Sequence, residues 1–212
     1  MQAIDSIFYI VVLIMSIVVH EVFHGYVAYR LGDDTARLQG RLTLNPLKHL
    51  DMFGSVILPV LLIISKAGFV LGWAKPVPYN PHNLRNGKKG IIMVALAGIG
   101  ANILLAVVFG LAIRFGTVFG LPVYDPVLIH PFYKIATAIV LVNLVLALFN
   151  LIPIPPLDGS KVLFGILPER WHSFQAILEK WGMFLLLFFI IFLWGYVSPV
   201  IFFVFSLLTG LH

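Results

Sequence analysis

The stretch Ile10-Val-Val-Leu-Ile-Met-Ser-Ile-Val-Val-His20-Glu21-Val-Phe-His24 decides how this 212-residue chain is read. It lies within an apolar run, Ile4–Tyr29, and a helix crossing ~30 Å of hydrocarbon needs about 20 such residues. Two imidazoles and a carboxylate inside that run are costly in lipid, and ionisable groups placed there usually serve function. On a helix, residues four apart fall on one face, about 40° apart. Two imidazoles so placed can share one Zn²⁺ at ~2.0–2.1 Å. Glu21 stands one position round, where its carboxylate can take a proton from an attacking water. The plain alternative is a set of polar residues hydrogen-bonded into a helix bundle.

Composition agrees with a membrane chain. Hydrophobic residues make up 60% and charged residues 11%, against roughly 25% charged in an average soluble domain. The mean hydropathy is +1.02. So few charges cannot cover a water-facing surface, and so apolar a chain is not disordered. A polytopic membrane protein remains. The net charge of +5 and pI of about 9.6 come from Lys and Arg that flank apolar runs. That pattern speaks for membrane orientation and against a nucleic-acid partner. Cysteine is absent, so a metal must be held by His, Asp or Glu. The N-terminus lacks the basic stretch of a signal peptide, so the first run is expected to be retained.

Four further apolar runs follow: Phe53–Trp73, Gly90–Phe115, Phe132–Ile152 and Trp181–Leu211. The expected fold is an all-α polytopic membrane protein of about four to six membrane segments. One domain spans 1–212, with a catalytic core over 1–159 and a C-terminal interfacial helix and membrane helix or hairpin over 160–212. Residues 40–46 and 73–79 alternate polar and apolar residues like short membrane-associated strands, and prolines confine the second to a sheet edge. Val162–Leu167 reads as a short interfacial helix. Trp181–Leu211 is long for one span, and Gly195 and Pro199 suggest a kink or a hairpin.

Charge distribution bears on the second run. Four Lys and Arg in 30–48, five in 66–89 and three in 161–180 make twelve, against two, Arg114 and Lys134, in 114–134. Simple alternation of spans would divide the basic loops between both sides, against the positive-inside tendency. A re-entrant run over 53–73 places all twelve on one side. The expectation is an outside N-terminus with cytoplasmic basic loops in a cell membrane, and a site toward the cytoplasmic side.

A catalytic zinc takes three protein ligands and keeps one position open. The third must come from another span, and Asp158 is the best candidate. It follows Asn150-Leu-Ile-Pro153-Ile-Pro155-Pro156-Leu-Asp158-Gly159, where prolines end the fourth run and an extended segment can fold back to membrane depth. With a re-entrant second run, the first and fourth runs are parallel, and His24 and Asp158 approach the same side. Otherwise Asp158 simply caps a following helix. Among the remaining acids only Asp51 is worth weighing as a ligand. His49, His82, His130 and His172 lie in loops or at span ends and read as non-catalytic. Asp33 and Asp34 read as a solvated turn, and Asn143 as interhelical glue.

His20-Glu21-x-x-His24 together with Asn150-x-x-Pro153-x-Pro155-x-x-Asp158-Gly159 closely resembles the site-2 protease family of intramembrane zinc metalloproteases. Gly40-Arg-Leu-Thr-Leu-Asn-Pro46 and Gly72-Trp-Ala-Lys-Pro-Val-Pro78 look like its minimal prokaryotic branch, which lacks PDZ and CBS modules. The resemblance implies one Zn²⁺ per chain, bound by His20, His24 and Asp158, with Glu21 as the catalytic base. It also implies that Asn150 assists by hydrogen-bonding the oxyanion or the substrate. Asn102 stands at the Asn of a family Gly-Pro-x-x-Asn element, although Ile99 replaces its Pro here. Met52 likewise stands where a Pro is expected. Asn102 is thus open between a site role and an interhelical hydrogen bond. The implied substrates are transmembrane proteins or signal-peptide remnants. The rival readings are a membrane zinc carrier using the same ligands and a non-catalytic pseudoprotease.

Overall fold

The structure is a computed structural model. It describes the backbone of residues 2–57, 60, 61, 64, 65, 74–121 and 131–211, and their side chains except at 2–7, 55, 56, 119 and 169. Its helices are α1 (Gln2–Arg30), α2 (Thr35–Leu38), α3 (Gly87–Arg114), α4 (Pro131–Asn150), α5 (Asp158–Ile166), α6 (His172–Phe188) and α7 (Trp194–Thr209). Among the described residues four helical stretches are long and apolar enough to cross a membrane: Phe8–Arg30, Gly87–Arg114, Pro131–Asn150 and His172–Thr209.

α3 is the centre of the bundle, packed against α1, α4, α5 and α7. Its inward face is built from small residues, with Ala95, Gly98, Ala101, Asn102, Ala106 and Gly110 all buried. Small side chains let neighbouring backbones approach closely, which is how helices associate where lipid removes the hydrophobic drive between them. Ala106, Ile113, Tyr133, Ala136, Val140, Leu144 and Ile201 knit α3, α4 and α7 together. The outward faces keep large apolar residues exposed, Ile10, Val108, Met183, Ile191 and Phe203 among them. Such a surface suits lipid and not water.

Two contacts fix the directions of the helices. The backbone N–H of Arg85, just before α3, donates to Leu31 O, just after α1. The Arg114 guanidinium at the other end of α3 donates to Leu207 O on α7. α1 therefore runs toward one end of the bundle, and α3 and the final helix run away from it; α4 starts with Tyr133 beside Gly116, just past the far end of α3, and so runs with α1. The first of these ends carries the loops rich in Lys and Arg.

The final run forms a continuous helix rather than a hairpin, 38 residues over His172–Thr209, or ~57 Å at 1.5 Å per residue. A π-helical stretch at Phe189–Leu193 joins α6 to α7. Pro199 lies inside α7 and lacks the N–H that would bond the carbonyl four residues back. The Ser198 hydroxyl takes over that carbonyl, donating to Gly195 O at 3.2 Å.

The two expected β-strands are not formed: among the described residues there is no strand. Residues 40–46 and 74–79 have the alternation of strands but, among the described residues, no ladder partner. Pro76 and Pro78 offer no N–H, and the remaining groups of the second segment bond elsewhere. Lys75 O and Pro76 O accept from Arg41 Nη2 at 2.8 and 3.2 Å. Lys75 N–H donates to His49 O at 2.8 Å. Trp73 lies outside the described residues, as does most of the expected re-entrant run over 53–73, whose start lies in a π-helical stretch, Met52–Ile57.

A second correction concerns Asp33, which is not solvated but fully buried. Its carboxylate accepts from Thr35 Oγ1 at 2.6 Å, Asn80 N–H at 2.7 Å and Asn83 Nδ2 at 2.8 Å. It ties the end of α1 to the loop before α3. Burial pushes its acidity down, but the hydrogen bonds from Thr35, Asn83 and Asn80 outweigh this and hold its pKa below the ordinary carboxylate value. The folded state thus favours the ionised form, so the stabilisation is present above pH ~4 and fades as pH falls further. Asp33→Asn is expected to cost about 1–3 kcal/mol at pH 7. The difference in Tm from wild type, measured in detergent, should narrow as the pH is taken below ~4.

Candidate metal centre

His20 and His24 lie on one face of α1, their ring centroids 4.5 Å apart and their planes at 90°. Asp158 opens α5 and is brought to them by the proline-rich link after α4. The three side chains are buried, at 6, 6 and 5% exposure. His20 Nε2 and His24 Nε2 are 2.9 Å apart, and they lie 3.0 and 2.9 Å from Asp158 Oδ2.

Gly159 makes the approach of Asp158 possible. A Cβ there would stand 2.3 Å from Leu151 O and 2.5 Å from Ile152 O, so only glycine lets the link fold onto the first turn of α5. Asp158 Oδ1 is occupied by Lys161 Nζ at 2.9 Å, which leaves Oδ2 to face the imidazoles. The charge of Lys161 beside it favours the ionised carboxylate.

The far sides of both rings show what the near sides offer. His24 Nδ1 lies 2.6 Å from Val94 O. A backbone carbonyl only accepts, so Nδ1 carries the proton and Nε2 presents a lone pair. His20 Nδ1 lies 2.5 Å from Asn102 Oδ1 and is placed in the same tautomer. Three lone-pair atoms therefore converge within 3.0 Å with no proton to share between them. Such a cluster is repulsive unless a cation sits among the three atoms. For ligands ~2.0–2.1 Å from a tetrahedral zinc, neighbouring donor atoms are ~3.3 Å apart, close to what is seen. Two imidazoles and a carboxylate, each oriented by an outer hydrogen bond, form a donor set that suits zinc.

Glu21 is half-buried and lies outside this trio. Its Oε2 accepts from Val77 N–H at 2.7 Å, so the carboxylate is turned toward the extended 74–79 segment. Asn150, at the end of α4, donates its amide to Leu146 O at 3.0 Å and has no hydrogen bond to the trio. Asp51 is not part of the metal-ligand group found among the described residues. His49 is buried in a loop, hydrogen-bonded to Thr43 O.

The sequence profile of Peptidase family M50 matches residues 118–193, which include Asn150 and Asp158. A Bacillus subtilis protein named "Putative zinc metalloprotease YwhC" is 37% identical over 193 residues, covering 90% of this chain and 80% of that protein. The chain belongs to peptidase family M50, the site-2 proteases. A Mycolicibacterium smegmatis protein named "Putative zinc metalloprotease Rip2" is 36% identical over 172 residues, covering 80% of this chain and 61% of that protein. No solved structure matches significantly. This site-2 protease is a multi-pass intramembrane metalloprotease whose cofactor is zinc, and His20, His24 and Asp158 form a group suited to holding that metal.

Sequence reading missed three parts of this site. Lys161 was signalled by its position three residues after Asp158 on a helix. The Val94 carbonyl carried no signal, because every residue has one. Gly98 stands out in sequence only as one small residue among several on α3, yet a Cβ there would stand 2.6 Å from His24 Cε1 and Nε2 and 2.7 Å from His20 Cε1.

Proposed function

We propose that this site-2 protease hydrolyses peptide bonds in transmembrane segments of other proteins or in signal-peptide remnants. His20, His24 and Asp158 would hold the zinc, and Glu21 would act as base. The observation that carries this reading is the meeting of three lone-pair atoms within 3.0 Å beside a carboxylate that is not among them. Bound there, zinc supplies Lewis acidity that polarises the scissile carbonyl and acidifies the attacking water. Glu21 accepts a proton at its carboxylate and delivers it to the leaving nitrogen. Asn150, released from Leu146 O, turns its amide to the oxyanion. On this reading Asn150→Ala loses about 100-fold in kcat with zinc content unchanged, as metal analysis beside cleavage rates would register.

A transmembrane helix hides its carbonyls in i→i−4 bonds, so a substrate must unwind before it can be cut. The extended 74–79 segment lies over Glu21 and is without a ladder partner among the described residues. The hydrogen bond between Lys75 and His49 brings together the two flanks of the 53–73 run. This supports a re-entrant run that leaves and returns at one face. Twelve Lys and Arg then share that face against two on the other, which supports a cytoplasmic site in the cell membrane. The whole of 1–212 acts as one domain, with 1–159 as its core.

The test uses the purified chain in detergent with a model transmembrane substrate. Cleavage should stop on treatment with a zinc chelator and return on addition of Zn²⁺. Zinc flux into liposomes without any cleavage would overturn the proposal in favour of a carrier.

A further inference from the structure

Asn143 makes no hydrogen bond to His20, His24 or Asp158, yet its orientation decides what one of them can do. Its Nδ2 donates to Ile139 O at 2.8 Å and to Ser16 Oγ at 2.9 Å. A hydroxyl suits either direction of hydrogen bond, but a backbone carbonyl only accepts. Ile139 O therefore fixes the Asn143 amide with its nitrogen on that side, and its Oδ1 faces Asn102 Nδ2 at 2.7 Å. That commits the Asn102 nitrogen as donor and turns Asn102 Oδ1 to His20 Nδ1 at 2.5 Å. His20 must then carry its proton on Nδ1 and present the Nε2 lone pair.

We infer that Asn143 is a positioning residue for the metal centre: anchored on Ile139 O, it fixes through Asn102 the tautomer in which His20 can bind zinc. Asn102 and Asn143 are fully buried, and Ser16 and His20 nearly so. In such surroundings a mismatched pair of acceptors is costly. Inverting the chain would set Asn143 Oδ1 against Ile139 O, acceptor against acceptor. The two histidines are thus oriented by the same kind of group. His24 meets the carbonyl of Val94 directly, and His20 meets that of Ile139 through two amides on separate helices. The fixed order of donors makes this more than an interhelical contact.

The inference rests on the reading of His20 as a zinc ligand, and the test separates the two. Zinc affinity is measured on the purified full chain in detergent by competition with a chelating dye, for wild type, His24→Ala, Asn143→Leu and the double variant Asn102→Asp/Asn143→Leu. Asn143→Leu is expected to weaken zinc binding by 10–100-fold, the usual effect of losing an outer-shell partner. A carboxylate at 102 has acceptor atoms only and cannot present a donor to His20. The double variant should therefore recover most of the affinity, which repair of packing alone would not do. Equal affinity of wild type and Asn143→Leu, or a double variant as weak as the single, would overturn the relay. A wild-type chain that binds no zinc, or a His24→Ala variant that binds it as tightly, would overturn the metal centre and the relay with it.

Discussion

Glu21→Gln is expected to keep its zinc and lose cleavage by about 10⁴-fold, the upper end of what a general base contributes. Oε2 of Glu21 is held by the Val77 amide at 2.7 Å, and the side-chain oxygen of glutamine can accept the same hydrogen bond. The variant therefore removes proton-accepting power and little else. The three atoms proposed to hold the metal come from His20, His24 and Asp158, so zinc stoichiometry should stay at the wild-type value. Metal analysis and cleavage of a model transmembrane substrate, made on the same preparation, check both halves. Retained cleavage would remove Glu21 as the base. Lost zinc would make it a ligand.

The pairing of His20 with His24 was legible because it is a local property: a helix places residues four apart on one face whatever surrounds it. Asp158 was legible for a different reason. Without cysteine a third ligand would have to be an acid or an imidazole, and the prolines before Asp158 point to irregular backbone by which its carboxylate reaches the two imidazoles. What stayed hidden depends on partners distant in sequence. Asp33 looked like half of an exposed acidic turn, and its partners Asn80 and Asn83 arrive only when the loop before α3 folds back on α1. Residues 74–79 carry neither helix nor bend, whereas 40–46 turn at Gly40, bend at Leu42 and Thr43 and enter a 3-10 helix at Pro46. A strand also needs a neighbour, and in the second segment prolines and side-chain hydrogen bonds use up the groups that would form a ladder. Over 172–209 composition recorded apolarity and length. It could not tell that a π-helical stretch and the Ser198 hydroxyl would let the helix continue through Pro199.

Gly98→Val should abolish tight zinc binding while leaving the bundle assembled. The buried face of α3 meets the two imidazoles at Gly98, where a Cβ would approach His24 Nε2 to 2.6 Å and His20 Cε1 to 2.7 Å. Neither ring can retreat freely, since His24 Nδ1 is bonded to Val94 O and His20 Nδ1 to Asn102 Oδ1. Relief requires rotating the rings off those acceptors or pushing α3 away from α1 by ~1 Å. A displacement of that size in an oriented site can cost 10²-fold. The expected result is zinc affinity lower by at least ~100-fold with cleavage lost in parallel. Gly100→Val supplies the control on the same helix. Gly100 is exposed, and a Cβ there meets nothing within 4 Å, so the same change of residue should leave zinc binding and cleavage at wild-type levels. Equal behaviour of the two variants would show that α3 does not press on the histidines, and that the closeness of the two rings to this helix has no part in shaping the site.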